Sequence, residues 1–127
     1  MDKPICVLIG LVVRGKKIGR KLGFPTANLS ILSPDPHLKH GVYGVRVNID
    51  GVEYCGVLNV GVRPSFRDGL EVSYEVFIIN FNNDIYNKKI NVEVCFYIRP
   101  ELSFPNSGEL IDQIKKDVNF AKRYFDL

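Results

Sequence analysis

Thr26 and Asn28 are compact side chains with hard oxygen donors, set two residues apart on a segment stiffened by Pro25. Mg²⁺ takes oxygen ligands and usually draws only one or two from protein, leaving the other positions to water and phosphate. A hydroxyl and an amide oxygen at this spacing suit that role on a locally twisted strand. The same Pro25-Thr26-Ala27-Asn28 run also fits a turn closed by a side-chain-to-backbone hydrogen bond. Just before it, Arg14-Gly15-Lys16-Lys17-Ile18-Gly19-Arg20-Lys21 places five cations in eight residues. Glycine lets backbone N–H groups approach phosphate oxygens, and lysine or arginine neutralises them. The Gly-x-x-x-x-Gly-Lys-Ser/Thr spacing of the common nucleotide loop is missing. A solvated turn or RNA-backbone contact therefore accounts for the basic segment as well as a bound polyphosphate does.

Glu75 is the third residue of interest. In Val72-Ser73-Tyr74-Glu75-Val76-Phe77-Ile78-Ile79-Asn80-Phe81, period two puts Glu75 on the face of Phe77, Ile79 and Phe81. A carboxylate there either stands at a rim, paired with a neighbouring strand, or is partly buried. Burial would raise its pKa and suit it to general-base work. Phe66, Tyr86, Tyr97 and Phe104 fall at strand ends or loops, where aromatics wall a planar-ligand pocket or complete an ordinary core. His37 and His40 flank a proline-rich loop without a third ligand in range and read as surface residues.

These side chains need a frame, and the chain is long enough to build one. With 127 residues, 46% hydrophobic and 24% charged, it reads as one ordinary globular domain spanning 1–127. Seventeen cations against 14 acids give +3, too small an excess to announce nucleic-acid binding. Cys6, Cys55 and Cys95 are odd in number and far apart, which disfavours a disulfide framework or a Cys-x-x-Cys metal site and favours a reducing, cytoplasmic setting. The opening apolar run, Cys6 to Val13, is far shorter than the roughly 20 residues a membrane span needs, and reads as a first strand.

Val42 to Ile49 alternates, with Tyr43, Val45, Val47 and Ile49 on one face. Asp50-Gly51 follows, a strong hairpin signal because both turn positions favour positive φ. Val52 to Val60 is the partner strand, a loop holds Arg63-Pro64, and a further strand lies near Glu71–Phe81. Lys89 to Arg99 alternates again. Leu110, Ile114, Val118, Ala121 and Phe125 then fall at helical spacing, and Asn106 with Glu109 fits a capping box. Five or six strands, at about 5–99, thus precede one C-terminal helix at about 107–124. Many short antiparallel strands favour a closed barrel, which removes exposed edges, with the helix over one opening or flank.

In this order the pieces resemble riboflavin kinase (flavokinase), either the free-standing enzyme or the kinase half of the bacterial bifunctional enzyme that also makes FAD. The resemblance runs through Gly15…Gly19-Arg20-Lys21-Leu22-Gly23-Phe24-Pro25-Thr26-Ala27-Asn28, Gly41-Val42-Tyr43 and Asn59-Val60-Gly61-Val62-Arg63-Pro64-Ser65-Phe66. It continues through Glu75, Asp84-Ile85-Tyr86, Arg99-Pro100-Glu101…Phe104 and the helix with Asp117…Ala121.

The resemblance implies an all-β fold with one C-terminal α-helix, a closed six-stranded antiparallel Greek-key barrel. It implies transfer of the γ-phosphoryl of ATP to the ribityl 5′-hydroxyl of riboflavin, giving FMN and ADP, with Mg²⁺ (or Mn²⁺ or Zn²⁺). Thr26 and Asn28 would bind the metal–nucleotide complex, and Gly15, Arg20 and Lys21 the phosphates. Glu75 would take the hydroxyl proton, and Ile78, Asn80 and Tyr86 would contact the nucleotide. Arg99, Leu102 and Phe104 would lie by the flavin. The expected protein is a cytoplasmic monomer without membrane or nucleic-acid partners, and the adenylyltransferase half is absent from this chain. Where the family usually has histidine, glycine, lysine and threonine, this chain has Phe77, Asn87, Leu102 and Ser65. Two other readings compete: a non-enzymatic barrel that binds RNA through residues 14–21, and a degenerate kinase that only stores or senses flavin.

Overall fold

Period-two alternation gives each strand an apolar and a mixed face, and closing the sheet buries every apolar face at once. The computed structural model describes residues 3–13, 26–33, 36–64 and 70–127. Six strands come first: β1 (Cys6–Val13), β2 (Ala27–Ile31), β3 (Gly41–Ile49), β4 (Val52–Pro64), β5 (Leu70–Ile78) and β6 (Lys89–Arg99). One helix, α1 (Ser107–Tyr124), follows. The strands close into an antiparallel barrel in the order β1-β2-β5-β4-β3-β6. β3, β4 and β5 form a meander and β6 returns beside β3, which is the Greek-key connection.

Leu8, Leu29, Val45, Val47, Leu58, Val60, Val76, Val92 and Val94 fill the interior. Each such aliphatic side chain, fully buried, contributes about 1.5–3 kcal/mol of transfer free energy. The β3–β4 hairpin turns at Asp50-Gly51 with φ of 51° and 85°, the positive-φ pair that a two-residue connection requires. Asn48 Oδ1 accepts from Gly51 N–H at 3.2 Å and closes the turn.

Two boundaries differ from the sequence pattern, and one open reading resolves. Arg63-Pro64, expected in a loop, ends β4, its backbone in register with Glu71 and Leu70. Proline is tolerated at a strand end, where the ladder no longer needs its N–H. β5 stops at Ile78, short of Phe81, because Asn80 takes φ 58° and turns the chain. Ala27–Ile31, the segment open to a strand or a turn reading, is the short strand that joins β1 to β5.

Helix α1 starts where Asn106 Oδ1 accepts from Glu109 N–H at 2.9 Å. Glu109 in the first turn and Lys122 and Arg123 in the last complement the helix dipole. Its apolar stripe lies on a flank of the barrel, not across an opening. Val118 and Ala121 pack there with Ile79, Val57, Phe77, Phe96, Ile114 and Phe125. Phe96 packs against β3 at Gly44, where a Cβ would collide with its ring. That ring also stacks on Tyr124, centroids 3.7 Å apart. No helix among the described residues is long and apolar enough to cross a membrane.

Candidate active site

The barrel wall turns one polar row outward beneath this helix. Leu29, Val76, Leu58 and Val60 point inward, so Asn28, Glu75 and Asn59, their neighbours in sequence, point out. Register places Asn28 opposite Glu75, Glu75 opposite Asn59, Asn59 opposite Val42 and Val42 opposite Arg99. The row therefore crosses β2, β5, β4, β3 and β6. It floors a cavity of about 400 Å³. Thr26 stands at one end, and Leu102, Phe104, Leu110, Ile114 and Val118 close over the other. One end thus offers hard oxygens and a carboxylate, the other an apolar slot, the usual division in a pocket that fixes a ligand by a few polar groups.

Each polar group is held by its element. Asn28 is 8% exposed on β2, and Thr26 is exposed just before that strand. Glu75 is half-buried at the centre of β5, between the two asparagine-bearing strands. Arg99 grips the helix: its Nε lies 3.0 and 3.1 Å from the two Asp117 carboxylate oxygens, and its Nη2 2.8 Å from Oδ2. Gln113 Nε2 donates to Asp117 Oδ1 at 3.0 Å. The ion pair is enclosed, with side chains 15% and 4% exposed. The Arg99 guanidinium carbon also sits 5.8 Å from the Phe104 ring centre, so one residue ties barrel, helix and the 100–105 loop together.

Of the residues singled out in the sequence, the cavity gathers Thr26, Asn28, Glu75, Arg99, Leu102 and Phe104. Ile78 is buried with its side chain in the barrel core, leaving only its backbone to face a ligand. Asn80 is exposed at the turn after β5. Tyr86 is 45% exposed, and its N–H donates to Asp84 Oδ1 at 2.9 Å. Gly15, Arg20 and Lys21 lie outside the described residues, as do Phe24, Ser65 and Phe66. Thr26 Oγ1 and Asn28 Oδ1 are neutral hard donors, a set that fits Mg²⁺ when phosphate and water supply the remaining positions.

Sequence reasoning gave no role to Asn59, Asp117 or Glu101. Asn59 Oδ1 is buried without a hydrogen-bond partner. Glu101 reaches over Gly61 so closely that a Cβ there would collide with its Oε2. The available signal was polarity inside an apolar run: Asn59 interrupts Val57-Leu58-Val60, and Asp117 lies beside Val118 on the apolar side of the helix.

The riboflavin kinase (flavokinase) family pattern matches residues 4–125. The chain is 41% identical over 121 residues to the RNA-binding riboflavin kinase RibR of Bacillus subtilis (strain 168), covering 95% of this chain and 52% of that protein. It is 41% identical over 127 residues to the bifunctional riboflavin kinase/FMN adenylyltransferase of Haemophilus influenzae, covering 99% of this chain and 40% of that one. The chain thus spans about half, or less, of the length of these curated relatives. Among solved structures, one described as a macrolide-efflux protein from Streptococcus pneumoniae superposes with a TM-score of 0.85 at 37% identity, over 91% of this chain and 38% of that one. A riboflavin kinase from Trypanosoma brucei shares the fold with a TM-score of 0.65 at 24% identity, over 94% of this chain and 79% of that one.

Proposed function

The chain belongs to the riboflavin kinase family, and from that premise we propose that it transfers the γ-phosphoryl of ATP to the 5′-hydroxyl of riboflavin, giving FMN and ADP. The observation that carries this reading is the outward row Asn28–Glu75–Asn59–Val42–Arg99, which runs from oxygen ligands through a carboxylate to an apolar slot.

Phosphoryl transfer leaves a protein mostly positioning and charge stabilisation to do. Leu102, Phe104, Leu110 and Ile114 would hold the planar ring, and the Arg99–Asp117 pair keeps that slot closed against the barrel. The terminal hydroxyl then lies over Glu75. Its oxygen bonds to the γ-phosphorus, the bond from that phosphorus to the β–γ bridging oxygen breaks, and ADP leaves. Glu75 accepts the hydroxyl proton.

Thr26 and Asn28 would hold a divalent cation, Mg²⁺ by donor type, which when bound neutralises charge on the polyphosphate. Gly15, Arg20 and Lys21 would contribute further phosphate contacts. Asn80, Tyr86 and the Ile78 backbone would meet the nucleotide base. Phe77 completes the apolar cluster under the helix, so the usual histidine is dispensable in this scheme. The protein acts as a cytoplasmic monomer in this reading, and its three cysteines are free thiols.

Purified protein with riboflavin, ATP and Mg²⁺ should yield FMN by fluorescence-detected chromatography, with none when ATP or the metal is withheld. Riboflavin binding without conversion across Mg²⁺, Mn²⁺ and Zn²⁺ would replace the kinase with a flavin-storing protein. The RNA-binding name of the Bacillus relative and the basic run at 14–21 favour one added reading, contact with an RNA backbone. Its test is RNA affinity falling with salt at a slope near −0.7 per phosphate contacted. Salt-insensitive or absent binding removes it.

A further inference from the structure

Asn59 occupies the gap between the two ends of the cavity. Its Oδ1 is buried and lacks a donor, and burying an acceptor without one destabilises a fold. It stands one strand from Glu75 in the row that runs on through Val42 to Arg99. A substrate whose reacting hydroxyl lies at Glu75 and whose ring lies by Arg99 and Phe104 must pass its connecting chain over Asn59. The missing partner is a donor. Phosphate oxygens at neutral pH, the flavin ring edge over an apolar slot and methylene groups supply none there, whereas an alcohol does.

We propose that Asn59 Oδ1 accepts a hydrogen bond from an internal hydroxyl of the ribityl chain, which makes Asn59 a specificity residue for polyhydroxylated side chains. This inference rests on the riboflavin reading above and adds the part of the substrate that the row's centre recognises. A site built to bond a hydroxyl rejects an analogue without it, because its own buried group is left unpaired.

The test compares riboflavin with 10-(5-hydroxypentyl)flavin, which keeps the terminal hydroxyl and lacks the internal ones. Dissociation constants come from flavin fluorescence quenching, alongside kcat/KM and Tm, for wild type and Asn59→Leu. Wild type should prefer riboflavin by about tenfold. Asn59→Leu should lose about that factor for riboflavin, bind the hydroxypentyl flavin within about twofold of wild type, and melt no lower, because an unpaired buried acceptor has been removed. Asn59→Ala should show the same loss of preference and serves where leucine does not fit.

Equal weakening of both flavins with a lowered Tm would assign the amide to the fold and overturn the proposal. So would unchanged riboflavin affinity. Binding without phosphorylation would remove the kinase activity alone, and the ratio of dissociation constants would still decide the role of Asn59. A wild type that binds neither flavin would remove both.

Discussion

Asn28 and Asn59 flank Glu75 from opposite sides, yet in the proposed reading the two amides serve different ends of the substrate pair. That reading puts Asn28 with Thr26 at the nucleotide end. Asn28→Ala should raise the Mg-ATP concentration needed for half-maximal rate by about tenfold or more, the cost of one charge-assisted contact, while riboflavin affinity stays at the wild-type value. Parallel titrations of Mg-ATP kinetics and flavin quenching check this split. Thr26, Asn28 and Glu75 were legible because hydroxyl, amide and carboxylate groups stood out in short apolar contexts. Asn59 was not, because its significance lies in register, which pairs it with residue 75 and which no local pattern shows. Asn87 stands where the family usually has glycine and takes φ 69°. Asparagine tolerates that left-handed conformation better than other non-glycine residues, so the backbone shape of the turn survives the change.

Among the elements, α1 decides whether the apolar slot exists. Its stripe supplies the packing, but Arg99 and Asp117 fix where it sits, with both side chains largely enclosed. Removing one partner of such a pair leaves a buried charge. Asp117→Ala should therefore cost about 3–5 kcal/mol in urea denaturation and weaken riboflavin binding with it. Gly44→Ala attacks the same docking from β3, since its methyl group would displace the Phe96 ring that stacks on Tyr124. A cost of about 1–3 kcal/mol is expected for such overpacking, read as a lower urea midpoint. The helix and five of the strands could be read from apolar patterning and the Asp50-Gly51 turn. β2 could not, since five residues starting just after Pro25-Thr26 carry too short a pattern to separate a strand from a turn. The extension of β4 through Arg63-Pro64 escaped as well, because proline reads as a breaker and only pairing with β5 overrides it.

Among the described residues, closure of the sheet separates two jobs: the interior holds the fold, and the outer wall, roofed by α1, holds the candidate site. The barrel itself followed from strand number and the need to remove edges. Which outer face would carry the helix did not, because several strands turn apolar residues outward, among them Ile5, Val7 and Ile9 of the first segment. Partial burial pushes the thiols of Cys6, Cys55 and Cys95 above the ordinary cysteine range. A raised pKa lowers the thiolate fraction at neutral pH, so all three should react with a disulfide reagent more slowly in the native protein than after unfolding in urea, as followed by thiol absorbance.

The claim that joins these scales is that Glu75, between Asn28 and Asn59 in the outward row, takes the proton of a flavin hydroxyl during phosphoryl transfer. The direct measurement is FMN formed from riboflavin and Mg-ATP by wild type and Glu75→Gln, with riboflavin affinity and Tm recorded for both. The account predicts FMN from wild type, a rate about 10²–10⁴-fold lower for Glu75→Gln, and unchanged melting. A Glu75→Gln protein that makes FMN as fast as wild type would contradict it.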